Sequence, residues 1–307
     1  MGTHLTDQQL NEYIALSKPL LDAEEKAVAL SRSIPSGIVY VGISGAHLDS
    51  PAYDVLSGLI TIRPVVNAPG IIHVARAADL SLADYLGVSR YAGTITAEIA
   101  IHDRKGVDLA SSLKFAWNTA TLLKLRGKSS LFCPAASSSS WDVVSGIKDN
   151  SVRFDMLDDA PRQISLASNE MTISGSDLEW TRDHWERVLR LRQNRRFALA
   201  LNMSYIWNHT DNLRIAVANL WCVIEALFGN RNDRRVKASI IQRICSWCPE
   251  ANPSLVGDIY EQRCNAVHGR WLEDADAYAT LVDLEALART ILVTCVQREA
   301  IPLPDWT

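Results

Sequence analysis

Two residues near the C-terminus, Arg263 and His268, have side chains suited to chemistry on a phosphodiester. A histidine exchanges its proton near neutral pH, because its ordinary pKa is about 6.5, so it can act as a general base or acid. An arginine stays charged and can donate two hydrogen bonds to the oxygens of one phosphate. RNA carries a 2′-hydroxyl beside each phosphate. The pair could therefore cut RNA without a metal ion, by removing that proton and stabilising the charge around phosphorus.

The spacing of the pair limits how one helix can present it. At about 100° per residue, positions five apart differ by about 140° around an ideal helix, so the two side chains would not face one site. Gly269 follows the histidine directly, and glycine commonly marks the end of a helix. We therefore expect His268 at a helix end, where its side chain is free to turn.

Three short segments extend the pattern around Arg263 and His268. They read Ile224-Glu225-Ala226-Leu227-Phe228, Tyr260-Glu261-Gln262-Arg263 and Val267-His268-Gly269, and a long helical pattern follows from Leu281. Together they resemble the Apea-like HEPN family of ribonucleases, over about residues 190–298. One departure is Cys264, since many HEPN nucleases carry Asn, Asp or His directly after the arginine.

That resemblance implies a fold, an activity and partners. The fold would be an all-helical bundle, and the activity a metal-independent endoribonuclease that leaves 2′,3′-cyclic phosphate and 5′-hydroxyl ends. Neither a cofactor nor a metal would be needed. HEPN nucleases resemble one another in pairing, so we expect a homodimer through the C-terminal helices, with both motifs lining one cleft. Proteins of this kind serve in bacterial defence against phage, or as toxins restrained by a partner.

Three further residues join the candidate site. Glu225 lies among apolar residues of one helix, so it needs a partner; it either orients Arg263, as the resemblance implies, or forms an unrelated salt bridge. Tyr260 either contacts substrate or packs against its neighbours. Asn265 either binds the phosphate or caps the helix. The candidate catalytic residues are Arg263, His268, Asn265 and Glu225, and Tyr260 is a candidate substrate contact.

A basic stretch precedes these segments. Residues 182–243 hold 12 Lys and Arg against 5 Asp and Glu. Arginine suits phosphate recognition, so a face of this kind could follow an RNA backbone. The alternative is a solvated helix face in which Asp183 and Glu186 serve as local partners. The candidate substrate-binding arginines are Arg195, Arg196, Arg234 and Arg235.

A zinc site is an alternative use of His268. Cys245, Cys248, Cys264 and His268 follow the pattern C-x2-C-x15-C-x3-H, which falls in the range of structural zinc sites. Against it, helical spacing runs through Cys245 and from Cys264 to His268. A zinc site would also leave Tyr260 and Arg263 unexplained.

The chain changes character near residue 175. Before it, short β-branched runs alternate with Gly, Pro, Asn and Asp, which predicts strands joined by turns. After it, helical segments with short connections predict a bundle, and Ser176 is the predicted N-cap of the first helix. The predicted fold class is an α+β N-terminal domain over residues 1–175, followed by an all-α HEPN-type helical bundle over residues 176–307. Predicted strands are 37–43, 59–66, 71–75, 94–102, 129–134 and 163–173; predicted helices are 1–25, 107–126, 176–195, 211–228, 234–248, 253–268 and 274–299.

The N-terminal half offers no comparable site. Its glycines at 37, 42 and 45 form neither a dinucleotide-binding pattern nor a P-loop, and Gly42-Ile43-Ser44-Gly45 is not a nucleophile elbow. We predict a sensing or regulatory role for this half, with an inhibitory or trigger partner. The alternative function for the chain is a non-catalytic HEPN module that binds RNA or protein.

Composition and charge argue against several protein classes. A net charge of -4 gives no overall sign of nucleic-acid or membrane binding. No run approaches the roughly 18 to 20 apolar residues of a membrane helix, and residues 1–22 lack the pattern of a secretory signal. The six cysteines form no dense disulfide framework. We therefore expect a cytoplasmic protein that does not bind membranes.

Overall fold

The computed structural model describes residues 37–102, 109–158, 164–166, 171–230, 235–268 and 273–303. The predicted helix at residues 1–25 lies outside these ranges, as do Arg234 and Gly269. None of the helices in the described ranges is long and apolar enough to cross a membrane.

Strands fill much of the first half of the described chain. They are β1 (Val39–Ile43), β2 (His47–Leu48), β3 (Tyr53–Leu56), β4 (Ile60–Pro64), β5 (Ala97–Ile101), β6 (Ala135–Ser137), β7 (Phe154–Met156) and β8 (Thr172–Ile173). Six of them form one antiparallel sheet in the order β3-β4-β5-β1-β6-β7. β2 and β8 form a separate parallel pair. The mixed α and β character predicted for this half is therefore confirmed.

The sheet is covered on both faces. Every residue of β5 is buried, which fits a strand with packed layers on either side. Val41 and Ile99 lie in the larger hydrophobic core, whereas Trp141 belongs to a smaller core. Glu98 is also fully buried in β5, and its carboxylate accepts hydrogen bonds from Ser140 Oγ at 2.8 Å and from the Trp141 amide at 2.7 Å. These bonds offset the cost of burying that charge.

Three helices pack with the sheet: α1 (Ile71–Ala77), α2 (Leu82–Ala92) and α3 (Leu109–Leu125). The helix predicted at residues 107–126 is confirmed as α3, whereas α2 is not anticipated by the sequence. The strand predicted at residues 71–75 is wrong, because the segment forms α1. It buries Val74 and Ala77, three residues apart, and exposes Ile71 and Ile72, which is a helical pattern and not an alternating one.

The other predicted strands agree with the structure to different degrees. The predictions at 37–43, 59–66 and 94–102 contain β1, β4 and β5. The prediction at 129–134 stops short of β6, and only an isolated bridge between Phe132 and Ser44 falls inside it. Of the prediction at 163–173, the described residues form a strand only in β8.

Helices make up the second half of the described chain. They are α4 (Gly175–Leu191), α5 (Arg195–Ile206), α6 (Leu213–Phe228), α7 (Val236–Trp247), α8 (Pro253–Val267) and α9 (Asp274–Arg298). The sequence predicts five of these close to their observed bounds. α5 is the exception, and Asn194 begins it by accepting hydrogen bonds from the amides of Arg196 and Phe197. A helical C-terminal region is therefore confirmed.

The start of α4 differs from the prediction by two residues. Ser174, not Ser176, is the N-cap, and its side chain accepts a hydrogen bond from the Asp177 amide. In return, Asp177 accepts a hydrogen bond from the Ser174 amide at 3.0 Å. This reciprocal arrangement is a capping box.

One hydrophobic core extends across residue 175. It contains side chains of the sheet, of α3 and of the helices beyond residue 175. Polar contacts cross as well: Lys128 pairs with Asp177 at 3.1 Å, and Trp185 donates to Thr119 at 3.1 Å. Lys124 on α3 is buried and donates to the Tyr205 carbonyl on α5 at 2.5 Å; that burial lowers its pKa to about 8. The helices thus pack onto the sheet through α3, and α4 also contacts β3 directly, where Arg182 donates to the Tyr53 hydroxyl at 2.8 Å.

Candidate functional site

Helix α6 carries Glu225 at the edge of a buried segment. Eleven of its residues are buried, from Ala216 to Phe228, whereas the Glu225 side chain keeps 29% exposure. The last carbonyls of α6 accept hydrogen bonds from two arginines: Arg196 donates to Ala226 at 3.0 Å, and Arg243 donates to Phe228 at 2.8 Å. These bonds hold the helix end next to Glu225 in place.

Gly229, the residue directly after α6, has no space for a side chain. A Cβ atom at this position would lie 2.5 Å from the Glu225 carbonyl oxygen. Its amide donates to that same oxygen at 2.9 Å, and such a close approach leaves no space for a side chain. The backbone conformation directly after α6 therefore requires glycine at position 229.

Arg263 on α8 forms an ion pair with Glu225 on α6. Its Nη2 lies 2.6 Å from Glu225 Oε1. The same oxygen accepts a hydrogen bond from Trp221 Nε1 at 2.9 Å. Of the two alternatives that the sequence leaves open for Glu225, the structure shows the contact with Arg263.

The environment of Arg263 keeps it charged. Its side chain is only 20% exposed. Burial works to lower the pKa of Arg263, but the negative charge of Glu225 acts in the opposite direction, and the pKa stays above its ordinary value. The Nε atom of Arg263 is buried and has no hydrogen-bond partner within the part of the chain that the structure describes. The guanidinium is thus charged and held by Glu225, and only about a fifth of the side chain is open to a ligand.

His268 lies at the end of α8, as predicted. It is the C-cap residue, its amide donates to the Cys264 carbonyl at 3.0 Å, and its side chain is exposed. α8 is helical up to Val267, so the turn of about 140° between Arg263 and His268 remains. No hydrogen bond or ion pair between these two described side chains is present in the single chain. The exposed position leaves His268 accessible to a ligand or to a second copy of the protein.

Tyr260 packs against its neighbours. Its ring meets Trp221 edge to face, with 5.6 Å between ring centroids. The ammonium group of Lys237 lies 5.8 Å from the Tyr260 ring and pairs with Glu261 at 2.6 Å. Tyr260 is half-buried, and burial raises its pKa. These contacts show the packing role that the sequence leaves open beside substrate contact.

Sequence reasoning missed Trp221 and Lys237 as neighbours of the candidate site. Trp221 lies four residues before Glu225 on one helix, a spacing that places side chains on one face and could have indicated the contact. Lys237 lies on α7, and its contact with α8 has no signal in sequence spacing.

The Asn265 side chain forms a hydrogen bond within its own helix. Its Nδ2 donates to Gln262 Oε1 at 3.3 Å, and α8 continues to Val267, so His268 takes the cap position and Asn265 does not. Among the described residues, no hydrogen bond joins the Asn265 side chain to Arg263 or Glu225.

The predicted phosphate-binding arginines lie in different settings. Arg195 is exposed at the start of α5, and Arg235 is exposed at the start of α7. Arg196 is buried, with 5% exposure, and its Nη1 donates to the Ala226 and Gly229 carbonyls. It therefore stabilises the end of α6, and we leave it out of the proposed site. Arg234 lies outside the described residues.

Other arginines of the basic stretch make internal contacts. Arg187 donates to the Gln297 carbonyl at 3.0 Å, Arg190 pairs with Glu186 and Glu299, and Arg192 donates to Asn202 at 3.3 Å. The charge of Arg190 is thus balanced by two carboxylates, whereas Arg187 and Arg192 donate to neutral oxygen atoms of the fold.

The residues of the zinc alternative do not gather around one point. Cys245 donates to the Ala251 carbonyl at 3.6 Å, and the Cys248 thiol, which is buried, lies 3.9 Å from Thr294 Oγ1. All four residues of the pattern are described, and no group of three or more metal-binding side chains is found in the described ranges. The geometry gives the C-x2-C-x15-C-x3-H pattern no support.

No protein-family model, curated protein or solved structure matches the chain. The likeness to the Apea-like HEPN family therefore rests on the motif residues alone. The contacts among α6, α7 and α8 are the structural observations from which a function can be proposed.

Proposed function

We propose that this protein is a metal-independent endoribonuclease of the HEPN type. The observation that carries the proposal is the ion pair of Arg263 with Glu225 at 2.6 Å, close in the chain to the exposed His268 at the end of the same helix. An arginine that stays charged, is held by a carboxylate and keeps part of its side chain exposed is suited to bind a phosphate oxygen. Both motif residues are therefore available for the chemistry that their types permit.

The reaction divides into steps that these side chains can perform. His268 removes the proton of the 2′-hydroxyl, and the 2′-oxygen attacks phosphorus while the bond to the 5′-oxygen breaks. Arg263 stabilises the negative charge that builds up on the phosphoryl oxygens. A second acid gives a proton to the leaving 5′-oxygen. The products are a 2′,3′-cyclic phosphate and a 5′-hydroxyl.

The second acid is supplied in this proposal by another copy of the chain. Within one chain, Arg263 and His268 face different directions around α8. A homodimer through the C-terminal helices brings two histidines and two arginines to one cleft. Light scattering at micromolar concentration tests this arrangement, and a monomer at that concentration contradicts it.

The biological setting comes from the same proposal. An endoribonuclease of this kind acts in the cytoplasm, in defence against phage or as a toxin that a partner restrains. The sheet half would then sense a trigger or regulate cleavage. RNA is the substrate in each case.

One observation favours the alternative of a non-catalytic module for RNA or protein binding. Arg187, Arg190, Arg192 and Arg196 make contacts within the fold, which reduces the positive surface available to an RNA backbone. Under this alternative Arg263 serves to stabilise the packing of α6 against α8.

Cleavage of labelled total RNA in excess chelator separates the two functions. The wild type is expected to cut and to leave cyclic phosphate ends, whereas His268→Ala is expected to lose at least about 100-fold in rate, because general base catalysis contributes about that much or more. Arg263→Lys keeps the charge but loses the planar fork, so it too is expected to cut poorly while remaining folded.

His47→Ala is the matched control. His47 is also an exposed histidine, but it lies on β2, where it contacts Thr172. This variant should cut at the wild-type rate. Equal cutting by wild type and His268→Ala would contradict the assigned role of His268, and RNA binding without cutting by any variant would favour the non-catalytic module.

A further inference from the structure

One carboxylate oxygen at the candidate site is shared by two donors. Glu225 Oε1 lies 2.6 Å from Arg263 Nη2 and 2.9 Å from Trp221 Nε1. Trp221 is completely buried, whereas Glu225 and Arg263 keep 29% and 20% of their side-chain exposure. The contacts therefore connect a residue of the core, through a carboxylate, to a partly buried arginine.

The three residues differ in freedom of movement. Glu225 and Arg263 are long, flexible side chains, and a partly exposed pair of this kind loses rotamer freedom when it is held in one geometry. The Trp221 ring is fixed by burial and by its edge-to-face contact with Tyr260 at 5.6 Å. A tryptophan indole has one N–H donor, and here that donor is directed at Glu225. The rigid ring thus restrains the carboxylate.

The restraint on Glu225 also determines how the Arg263 guanidinium is oriented. Glu225 occupies Nη2, whereas Nε is buried and lacks an acceptor within the described ranges. Because Nε is buried, a phosphate meets Arg263 through the exposed part of its side chain, and the Nε–H reports how the guanidinium is oriented. Keeping Nη2 on Glu225 keeps the Nε edge in a fixed position.

We propose that Trp221 is a positioning residue, which holds Glu225 and through it sets the orientation in which the exposed part of the Arg263 guanidinium binds a phosphoryl oxygen of RNA. The catalytic consequence rests on the endoribonuclease function proposed above, whereas the positioning itself does not. Trp221 touches neither RNA nor the reacting atoms, and it acts through Glu225.

Trp221→Phe tests this role, because phenylalanine keeps a buried aromatic ring and removes only the N–H donor and part of the ring volume. Trp141→Phe is the matched control. Trp141 is also completely buried, and its Nε1 donates a hydrogen bond, at 3.2 Å to the Tyr40 carbonyl, but it lies in the smaller core on the sheet. Both variants lose a partly buried hydrogen bond and a similar side-chain volume.

The primary measurement is the side-chain NMR signal of the Arg263 Nε–H in protein labelled with ¹⁵N-arginine. The signal is assigned by its loss in Arg263→Lys. We expect Trp221→Phe to shift or broaden it and Trp141→Phe to leave it unchanged. An unchanged signal in a folded Trp221→Phe protein would overturn the proposal, because a residue that only fills space does not govern the arginine.

A second variant keeps the test decisive if Trp221→Phe does not fold. Glu225→Gln removes the carboxylate charge at a partly exposed position and is expected to displace the same Nε–H signal. Where both single variants fold, the double variant should shift the signal no further than Glu225→Gln alone, since Trp221 acts through Glu225. If the signal shifts of the two single variants add up in the double variant, Trp221 does not act through Glu225.

RNA cleavage gives the catalytic readout. Trp221→Phe is expected to lower kcat about tenfold, the equivalent of one hydrogen bond to a charged group, with KM changed less than about twofold. Wild-type KM and kcat in Trp221→Phe would overturn the catalytic consequence. If the wild type itself cuts no RNA, the endoribonuclease proposal fails, and the NMR signal still decides whether Trp221 positions Arg263.

Discussion

Arg263 illustrates how a residue that is charged at all pH values can be placed close to the core. Its ion pair with Glu225 is neither a surface pair, which contributes about 0 to 1 kcal/mol, nor a fully buried one, whose desolvation cost is large. The sequence indicates that Glu225 needs a partner, but it does not decide between Arg263 and the other nearby arginines. The packing of α6 against α8 makes that choice.

Asp155 on β7 gives a prediction on pH dependence. Burial raises its pKa to about 7, and the negative charge of Asp84 adds to this, with Arg153 opposing. Since the folded-state pKa exceeds the ordinary value, Asp155 favours folding most at low pH, and that contribution is lost as the pH rises from about 4 through about 7.

Asp155→Asn should therefore stabilise the protein more at pH 8 than at pH 4. We expect a gain of about 1 to 2 kcal/mol at pH 8, which is below the full linkage value because Asp155 is partly open to water. Urea unfolding at both pH values measures it. Asp149→Asn is the control and should show no such gain, because hydrogen bonds from Ser151 lower the pKa of Asp149. An equal effect of Asp155→Asn at both pH values would rule out the assigned cause.

At the scale of elements, caps and helix ends decide where side chains of the site lie. Gly229 is the C-cap of α6, where a close carbonyl leaves no space for a side chain, and His268 is the C-cap of α8. The sequence places most helix ends within a few residues, because apolar periodicity and Gly or Pro signals are local. It fails at Ser176, because Ser174 and Ser176 are both suitable caps and only the observed hydrogen bonds select Ser174.

Two alanine variants compare these serines. Ser174→Ala should lower the free energy of unfolding by about 1 kcal/mol, since it removes the N-cap acceptor of α4 and the hydroxyl that donates to Asp177 at 2.8 Å. Ser176→Ala, at an exposed position inside the first turn, should cost less than about 0.5 kcal/mol. Thermal and urea unfolding measure both. A larger loss for Ser176→Ala would place the cap where the sequence predicts it.

At the scale of the whole molecule, the sheet and the helices share one core. Lys128, which follows α3, pairs with Asp177 of α4. Lys124 on α3 donates to a carbonyl of α5. Apolar side chains of both halves belong to the same hydrophobic core. The change in element type near residue 175 is confirmed, but the hydrophobic core does not stop there. Unfolding one half would therefore expose apolar surface of the other.

Hydrogen exchange provides the test of that coupling. β5 and α6 are both buried, and α3 lies between them in the chain. Their amides should exchange with solvent through opening reactions of similar free energy. The reason is that neither segment can open without exposing the shared core. If β5 exchanged through an opening several kcal/mol lower in free energy than that of α6, the two halves would be independent units.

The sequence by itself determined the helical second half, the bounds of most of its helices, and the placement of His268 at a helix end. These features arise from local periodicity and from glycine and proline signals, which act over a few residues. Tertiary structure decided the rest. It turned residues 71–75 into a helix, moved Arg196 from a predicted substrate contact to the end of α6, and brought Trp221 and Arg263 to the same oxygen of Glu225. The contacts of Arg196 and Arg263 with α6 join residues 30 and 38 positions apart in the chain, so only the packed arrangement of helices specifies them.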